Sequence, residues 1–477
     1  MAIYNGQVKR VNRSLRYSIL DGSAYAAMLG LTQNFIAPFA LALKATTQQI
    51  GLLTSIPSLM MALSQLSAPT LSDKAGSRKG FILPVVFLHA LMWLPILLVP
   101  FVMPGDKVWW LITFVTISTV LGAMANPAWG SMMADLVPER IRGRYFAARG
   151  RIASLITLIF AFIAGGILEA IKPNVFLGFA LLFGGAMIFR LVSYIFLAKM
   201  YEVPPTHNDG AKESLIDMIR GIGSSNLGRF TVFIALLSMV TNIASPFFSV
   251  YLLRDLQFNY ITYVILTSIG SLTGLVFITY WGKRTDRAGN VMVIKITAFL
   301  IPLVPLLWLI SKNPYYIGFA QTFSSFAWAG FNLASTNFVY DATPSQGRTQ
   351  RLALYNAMNG IAVFIGATSG GFLASRLPAL LGFNLLALFT ISGILRMIVV
   401  AFFIRGIREV RHVPKIDPIH ILLPHRRRYG YVGGTHSNIT IHRTTQSITR
   451  VSREVEKPQG TMEQHPPTKD HNTQSKQ

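Results

Sequence analysis

Cysteine is absent from all 477 residues, which excludes disulfides, thiolate metal sites and cysteine nucleophiles. Charge is scarce as well: 13% of residues are Asp, Glu, Lys or Arg, against ~25% in an ordinary soluble domain. Acids are the scarcest, 19 against 43 basic residues, for a formal charge of +24. No G-x-x-x-x-G-K-[ST], H-E-x-x-H or G-x-S-x-G phrase occurs, so ATP-driven pumping and the common membrane hydrolases have no support. No enzymatic activity, metal or other cofactor is expected. What the chain does have is apolar length: 52% of residues are hydrophobic and the mean hydropathy is +0.47. That composition indicates an integral membrane protein. The basic residues punctuate apolar runs and are not gathered on one polar domain, so they read as loop charges and not as a nucleic-acid surface.

Apolar stretches of about 20 to 27 residues, each long enough to cross the bilayer as a helix, recur about twelve times, and an all-α protein follows. Lys9, Arg10, Arg13 and Arg16 precede the first stretch, Lys74, Arg78 and Lys79 follow the second, and Arg140, Arg142, Arg144, Arg149 and Arg151 follow the fourth. The alternate connections carry single charges such as Lys44, Lys107, Lys172, Lys312 and Arg376. The positive-inside rule then puts both termini in the cytoplasm, and the plasma (cell inner) membrane is the expected location. Residues 1–16 lack the apolar core and small-residue cleavage site of a signal peptide, so the first span is expected to be retained.

The chain also repeats itself. Asn34 and Pro38 of span one match Asn242 and Pro246 of span seven, 208 residues on. Asp73-Lys-Ala-Gly76 matches Asp286-Arg-Ala-Gly289 at 213, and Asn126, Asp135, Pro138 and Arg142 match Asn332, Asp341, Pro344 and Arg348 at 206. Arg190 and Arg396 are also 206 apart. An ordered series of this kind indicates an internal duplication. It divides the chain into a basic N-terminus (1–16), a six-helix half (17–200), a central loop (201–228) with a short surface helix around Leu215 to Ile222, a second six-helix half (229–404) and a basic, polar tail (405–477) expected to be disordered and to rest on anionic lipid.

On these features the chain resembles the major facilitator superfamily of secondary transporters over about residues 15 to 405. The phrase between spans two and three is similar to the superfamily's G-x-x-x-D-[RK]-x-G-[RK]-[RK] signature: Asp73, Lys74, Gly76, Arg78 and Lys79 fit, while Pro69 and Ser77 depart. The second copy keeps Gly282, Asp286, Arg287 and Gly289 but has Asn290 where a basic residue is usual. Asp135 to Gly143 is similar to the acidic-x-x-Pro-x-x-x-Arg-Gly pattern after span four. The resemblance implies two pseudo-symmetric six-helix halves, alternating access, a small-molecule solute, and a conformational latch built from Asp73, Arg78, Asp135, Arg142, Asp286, Arg287, Asp341 and Arg348. Energy would come from the solute's own gradient or a coupled ion, and a monomer is expected. The rival reading is a transporter-like receptor or scaffold that binds without translocating; the long basic tail is its support.

The resemblance also implies that spans one, four, seven and ten line the path. Asn126 and Asn332, with Trp129 and Trp328 within a turn, are candidate solute contacts, although buried asparagines also serve as interhelical glue. Asn34 and Asn242 each sit four residues before a proline, so each is a hinge candidate as much as a ligand. Two amides with no mid-membrane carboxylate beside them suit a neutral or zwitterionic, partly apolar solute. Proton coupling needs a titratable group near the midplane, and the candidates are Asp21 and His89. Arg190 and Arg396 read as structural, with a counter-charge for an anionic solute as the minor alternative.

Overall fold

The computed structural model describes residues 2–74, 76–202, 225–343, 348–411 and 413. The compact unit is Ser14–Arg426; of the residues before it, 2–13 are helical. The expected surface helix at Leu215 to Ile222 and the tail beyond 413 lie outside the described residues.

The N-terminal half is built from α1 (Ala2–Thr32), α2 (Ile36–Ala42), α3 (Thr47–Lys74), α4 (Arg78–Leu91), α5 (Trp93–Val102), α6 (Lys107–Leu136), α7 (Glu139–Ala170) and α8 (Val175–Ala198). The C-terminal half is built from α9 (Asn226–Asn242), α10 (Phe247–Val250), α11 (Tyr260–Ala288), α12 (Asn290–Leu300), α13 (Leu303–Leu307), α14 (Pro314–Ala342), α15 (Arg348–Ala374) and α16 (Asn384–Phe403). Helices predominate because hydrocarbon offers backbone N–H and C=O groups no partner, and a helix satisfies them within the segment. Many begin at a residue that caps them: the side chains of Ser77, Asp106, Ser225, Asn259 and Asn313 accept from Gly80, Val108, Gly228, Thr262 and Tyr315 N–H groups at 2.8 to 3.0 Å. Pro38 and Pro246 mark the breaks between α1 and α2 and between α9 and α10, since each proline removes a helical donor. Both copies of the duplicated loop turn at a glycine in the left-handed region, Gly76 with φ +66° and Gly289 with φ +85°. Only glycine takes that conformation without a steric penalty.

Among the described residues, nine helices are long and apolar enough to cross a membrane. The other three expected spans fall on α1, α3 and α14, which are helical but more polar; α14 carries Gln321, Ser324, Asn332 and Thr336. Outward faces are apolar: Leu181, Ile188 and Ile195, spaced by seven on α8, are all exposed, which in a membrane places them against lipid.

The two halves meet along α3 against α15, α7 against α11 and α2 against α10. One end of this seam, on the side of Lys44, Lys172 and Lys312, is closed by hydrogen bonds across the halves. Tyr263 Oη donates to the Asn34 carbonyl at 2.7 Å, Tyr260 N–H to Glu169 at 3.1 Å, Gln48 to Ser375 at 3.3 Å and Arg254 to Thr47 at 3.3 Å. Gly51 lies so near α15 that an added Cβ would stand 2.5 Å from the Ala367 carbonyl and 3.1 Å from Gly371 Cα. Toward the opposite, basic end the described inter-half hydrogen bond is Asn356 to Gln65, 3.2 Å.

Candidate functional site: two interior chambers and the basic-end loops

Each half contains a partly open chamber. The N-terminal one, with about 120 Å³ of space, is lined by residues that include Asp21 and Tyr25 of α1, Asn126 and Trp129 of α6, Arg149 of α7 and Arg190 of α8. Asp21 organises it. Its Oδ1 accepts from Ser193 Oγ at 2.6 Å, Ser193 in turn accepts from Arg190 Nη1 at 3.0 Å, and Asp21 Oδ2 lies 3.6 Å from Arg149 Nη2. Arg190 Nε donates to His89 Nδ1 at 3.1 Å. The two guanidiniums also cover aromatic faces, Arg149 at 4.4 Å from the Trp129 ring centre and Arg190 at 4.6 Å from that of Tyr25, where the ring quadrupole favours a cation. One carboxylate thus faces two fixed cations from three helices. Asp21 and His89 share this network through Arg190, and Asn126 lines the same chamber.

The C-terminal chamber is larger, about 350 Å³, and its lining includes Thr241, Ser245, Phe248, Ser249, Trp308, Gln321, Ser324, Trp328 and Arg396. Ser245 is exposed, whereas Arg396 is 1% exposed. Arg396 donates to Ser392 Oγ at 3.1 Å, to the Thr241 carbonyl at 3.2 Å and, weakly, to the Ile301 carbonyl at 3.5 Å. Phe248, Trp308 and Phe389 form an aromatic wall with ring centres 4.4 to 6.2 Å apart.

The duplicated asparagines are therefore not equivalent in space. Asn126 lines the smaller chamber. Asn332 is exposed on α14 and is not part of the larger chamber's wall, to which Trp328, one turn earlier, does belong. Asn34 acts through its carbonyl, which receives the Tyr263 hydroxyl, and Asn242 donates from Nδ2 to the Ser238 carbonyl at 2.8 Å.

At the basic end, Arg78 pairs with Asp135 at 2.6 Å, joining α4 to α6 within the N-terminal half. Arg142 Nη2 donates to the Ala134 carbonyl at 2.8 Å, closing the C-terminal end of α6. Asp341 accepts from Asn290 Nδ2 at 2.8 Å, and Arg411 Nε lies 3.9 Å from it. Asp286 and Arg287 are exposed and form no ion pair among the described residues. The side chains of Asp73 and Arg348 lie outside the described residues. Two acids missed by the sequence reading hold the loops: Glu202 accepts from Ser77 Oγ at 2.6 Å and from the Arg78 and Lys79 N–H groups at 2.7 and 3.3 Å, and Glu409 accepts from the Val291 N–H at 2.8 Å. Each carboxylate sits where the first orphan donors of a helix point. They lie 207 residues apart, within the duplication's own series.

With this architecture in place, the likenesses are specific. An uncharacterised MFS-type transporter from Methanocaldococcus jannaschii is 26% identical over 394 residues, covering 77% of this chain and 94% of the relative. The solved nucleoside transporter NupG superposes with a TM-score of 0.61 at 16% identity, covering 83% of this chain and 98% of that one. A D-xylose-proton symporter does so at 0.63 and 13% identity, covering 84% and 98%, and a bacterial homologue of the lysosomal transporter Spinster, inward-facing and unoccupied, at 0.60 and 13%, covering 83% and 95%. At those identities the solved structures share the fold. The MFS_1 like family matches residues 24–384, and the chain belongs to that family: it is a major facilitator secondary transporter, an integral membrane protein that moves small solutes.

Proposed function

We propose that the solute sits in the C-terminal chamber and is exposed alternately to the two sides as the halves rock about the α3/α15 and α7/α11 seams. The observation that carries this reading is the asymmetry of the seam. One end is closed by Tyr263–Asn34, Gln48–Ser375 and Arg254–Thr47, while polar residues of the two path-lining helices, Asn126 and Ser131 of α6 and Asn332 and Thr336 of α14, lie in the basic-end halves of those helices and are exposed. Exposed amides and hydroxyls at membrane depth need water, so a cleft open to the basic end accounts for them. The positive-inside rule makes that end cytoplasmic in the plasma membrane, and the state is inward-open. The solved neighbours carry solutes as different as a nucleoside and a pentose, so the fold does not select the solute. The Asp21–Arg149–Arg190 network supplies the titratable group for a coupled proton, because gain of a proton at Asp21 would release Arg149 from its only anionic partner among the described residues. The protein is proposed to work as a monomer.

The test is flux. A compound that stabilises the purified protein in a thermal screen is loaded into proteoliposomes, and protein-dependent exchange is expected. Binding with no protein-dependent exchange would sink the transport reading in favour of a receptor.

A further inference from the structure

The larger chamber contains a buried cation that no acid neutralises among the described residues. Arg396 is 1% exposed, and its three hydrogen bonds go to a hydroxyl and two backbone carbonyls, all uncharged. Its partner in the duplication, Arg190, reaches Asp21 through Ser193. The second half has no such acid: 208 residues beyond Asp21 stands Arg229, which is exposed. Between Asn226 and Val413 the acids are Asp255, Asp286, Asp341 and Glu409; the first three sit at or near the ends of helical segments and Glu409 in the irregular stretch after α16. Asp255 pairs with Arg254, Asp341 with Asn290 and Glu409 with the start of α12. A guanidinium taken out of water without a counter-charge is costly, and the duplication shows that this fold can supply one where the charge is to be silenced.

Two further features point to what completes the site. Arg396 has five N–H donors and spends three of them, so it can still engage an acceptor from the chamber. Thr241 Oγ1, on the chamber wall, is buried and has no hydrogen-bond partner among the described residues. Around them stand Trp308, Trp328 and Phe248, apolar faces that an inorganic anion cannot use. The charge count favours a monoanion, since a dianion would leave one negative charge unmatched in the chamber. We infer that Arg396 is the anchor for a carboxylate, and that the solute of this transporter is a small organic monocarboxylate with an apolar or aromatic body. This inference rests on the placement of the solute in the C-terminal chamber proposed above, and it departs from the neutral or zwitterionic solute that the paired asparagines suggest.

The purified full chain is titrated calorimetrically with benzoate and indole-3-acetate and, in parallel, with benzamide and indole-3-acetamide, which keep the shape and remove the charge. The acids are expected to bind about 10- to 100-fold more tightly than the matching amides, the worth of a hydrogen bond to a charged group. Arg396→Gln is expected to erase that preference, bringing acid and amide to equal affinity, and Arg396→Lys to restore part of it. If the Gln variant does not elute as a folded protein, the wild-type acid-to-amide ratio decides, together with Thr241→Val, which removes the unpartnered hydroxyl and should weaken acid binding several-fold. Equal binding of acid and amide, no binding by either acid, an unchanged preference in Arg396→Gln, or full competition by chloride would each overturn the assignment. Failure of the transport reading looks different: an acid held through Arg396 yet not exchanged in proteoliposomes leaves the anion site standing. Exchange of a neutral solute that is indifferent to Arg396→Gln does the reverse.

Discussion

The Tyr263 hydroxyl donates to the Asn34 carbonyl at 2.7 Å, and that carbonyl is the one Pro38 deprives of its helical partner. A break in α1 of one half is thus satisfied by a side chain of the other, and it is satisfied when this end of the seam is closed. The same hydroxyl lies 3.2 Å from Ser249 Oγ, which lines the larger chamber. Tyr263→Phe is therefore expected to lower stability by about 1 to 2 kcal/mol for a lost buried hydrogen bond and to move the population toward opening at this end. The chain has no cysteine, so one placed at Ser55, which is fully buried and accepts from Thr368 across the seam, reports cleanly. Labelling by an impermeant maleimide should rise in the Phe variant, and unchanged labelling would leave Tyr263 with a packing role only.

Gly51 tests the same seam sterically. A methyl group there would meet the Ala367 carbonyl at 2.5 Å and Gly371 at 3.1 and 3.3 Å, and all of these contacts cross between the halves. Because backbone atoms form them, the clash cannot be relieved by a rotamer change. Gly51→Ala should fold and insert but resist closure at the Lys44 end, raising maleimide labelling of a cysteine at Ser55 and cutting solute exchange at least ~10-fold, a cost of about 1.4 kcal/mol in the closed state. Wild-type exchange in this variant would mean that the seam does not open and close where α3 meets α15.

The fold was legible because two signals agree: apolar length, and the ordered offsets of 206 to 213 residues that run through both halves. The three least apolar helices, α1, α3 and α14, could still be placed by that symmetry. The site was less legible for the same reason. Symmetry made Asn126 and Asn332 look like a pair, and Arg190 and Arg396 look alike, yet the halves differ in what surrounds each residue. Asn126 lines the smaller chamber, whereas Asn332 is not on the wall of the larger one; Arg190 has Asp21 within reach and Arg396 has no acid beside it among the described residues. The contrast at Arg396 was open to a simple count of acids after residue 226. Glu202 and Glu409 escaped because attention to apolar runs stops where those runs stop, although their 207-residue spacing belongs to the series.

Glu202 and Glu409 give the third prediction. Each accepts from N–H groups at the start of a helix, Glu202 from those of Arg78 and Lys79 and Glu409 from that of Val291. Glu202→Ala and Glu409→Ala should each cost about 1 to 2 kcal/mol, as the loss of a helix cap does. The two sites lie in different halves and share no partner, so the double variant should lose the sum within about 0.5 kcal/mol. A marked excess, read from thermal unfolding, would show that the two loops work as one unit across the halves.

Orientation is open to a direct check. Gly105 and Lys312 are exposed in connections at the closed end of the seam, and Ser77 and Gly143 lie at the basic end, half-buried and exposed respectively. In intact cells, cysteines at Gly105 and Lys312 should react with an impermeant reagent added outside, whereas those at Ser77 and Gly143 should react only after permeabilisation. The reverse pattern would make the basic end external and turn the inward-open assignment into its opposite.

Asp21 bears on energy coupling. Its carboxylate lies 3.6 Å from Arg149 and is bridged to Arg190 by Ser193, so the ionised form draws α1, α7 and α8 together. Asp21→Asn keeps the shape and removes the charge, leaving two guanidiniums near one another with no anion between them. Loss of one partner of a buried pair costs about 3 kcal/mol, and the variant's elution profile must first show a folded protein. If the carboxylate carries the coupled proton, the Asn variant should still exchange solute across proteoliposomes at equal pH but no longer respond to an imposed pH gradient. Ser193→Ala, which breaks the bridge and keeps the carboxylate, should retain the response. A pH-driven rate in Asp21→Asn that matches the wild type would assign the network to packing alone, and the driving force would then have to be the solute's own gradient or an ion bound elsewhere.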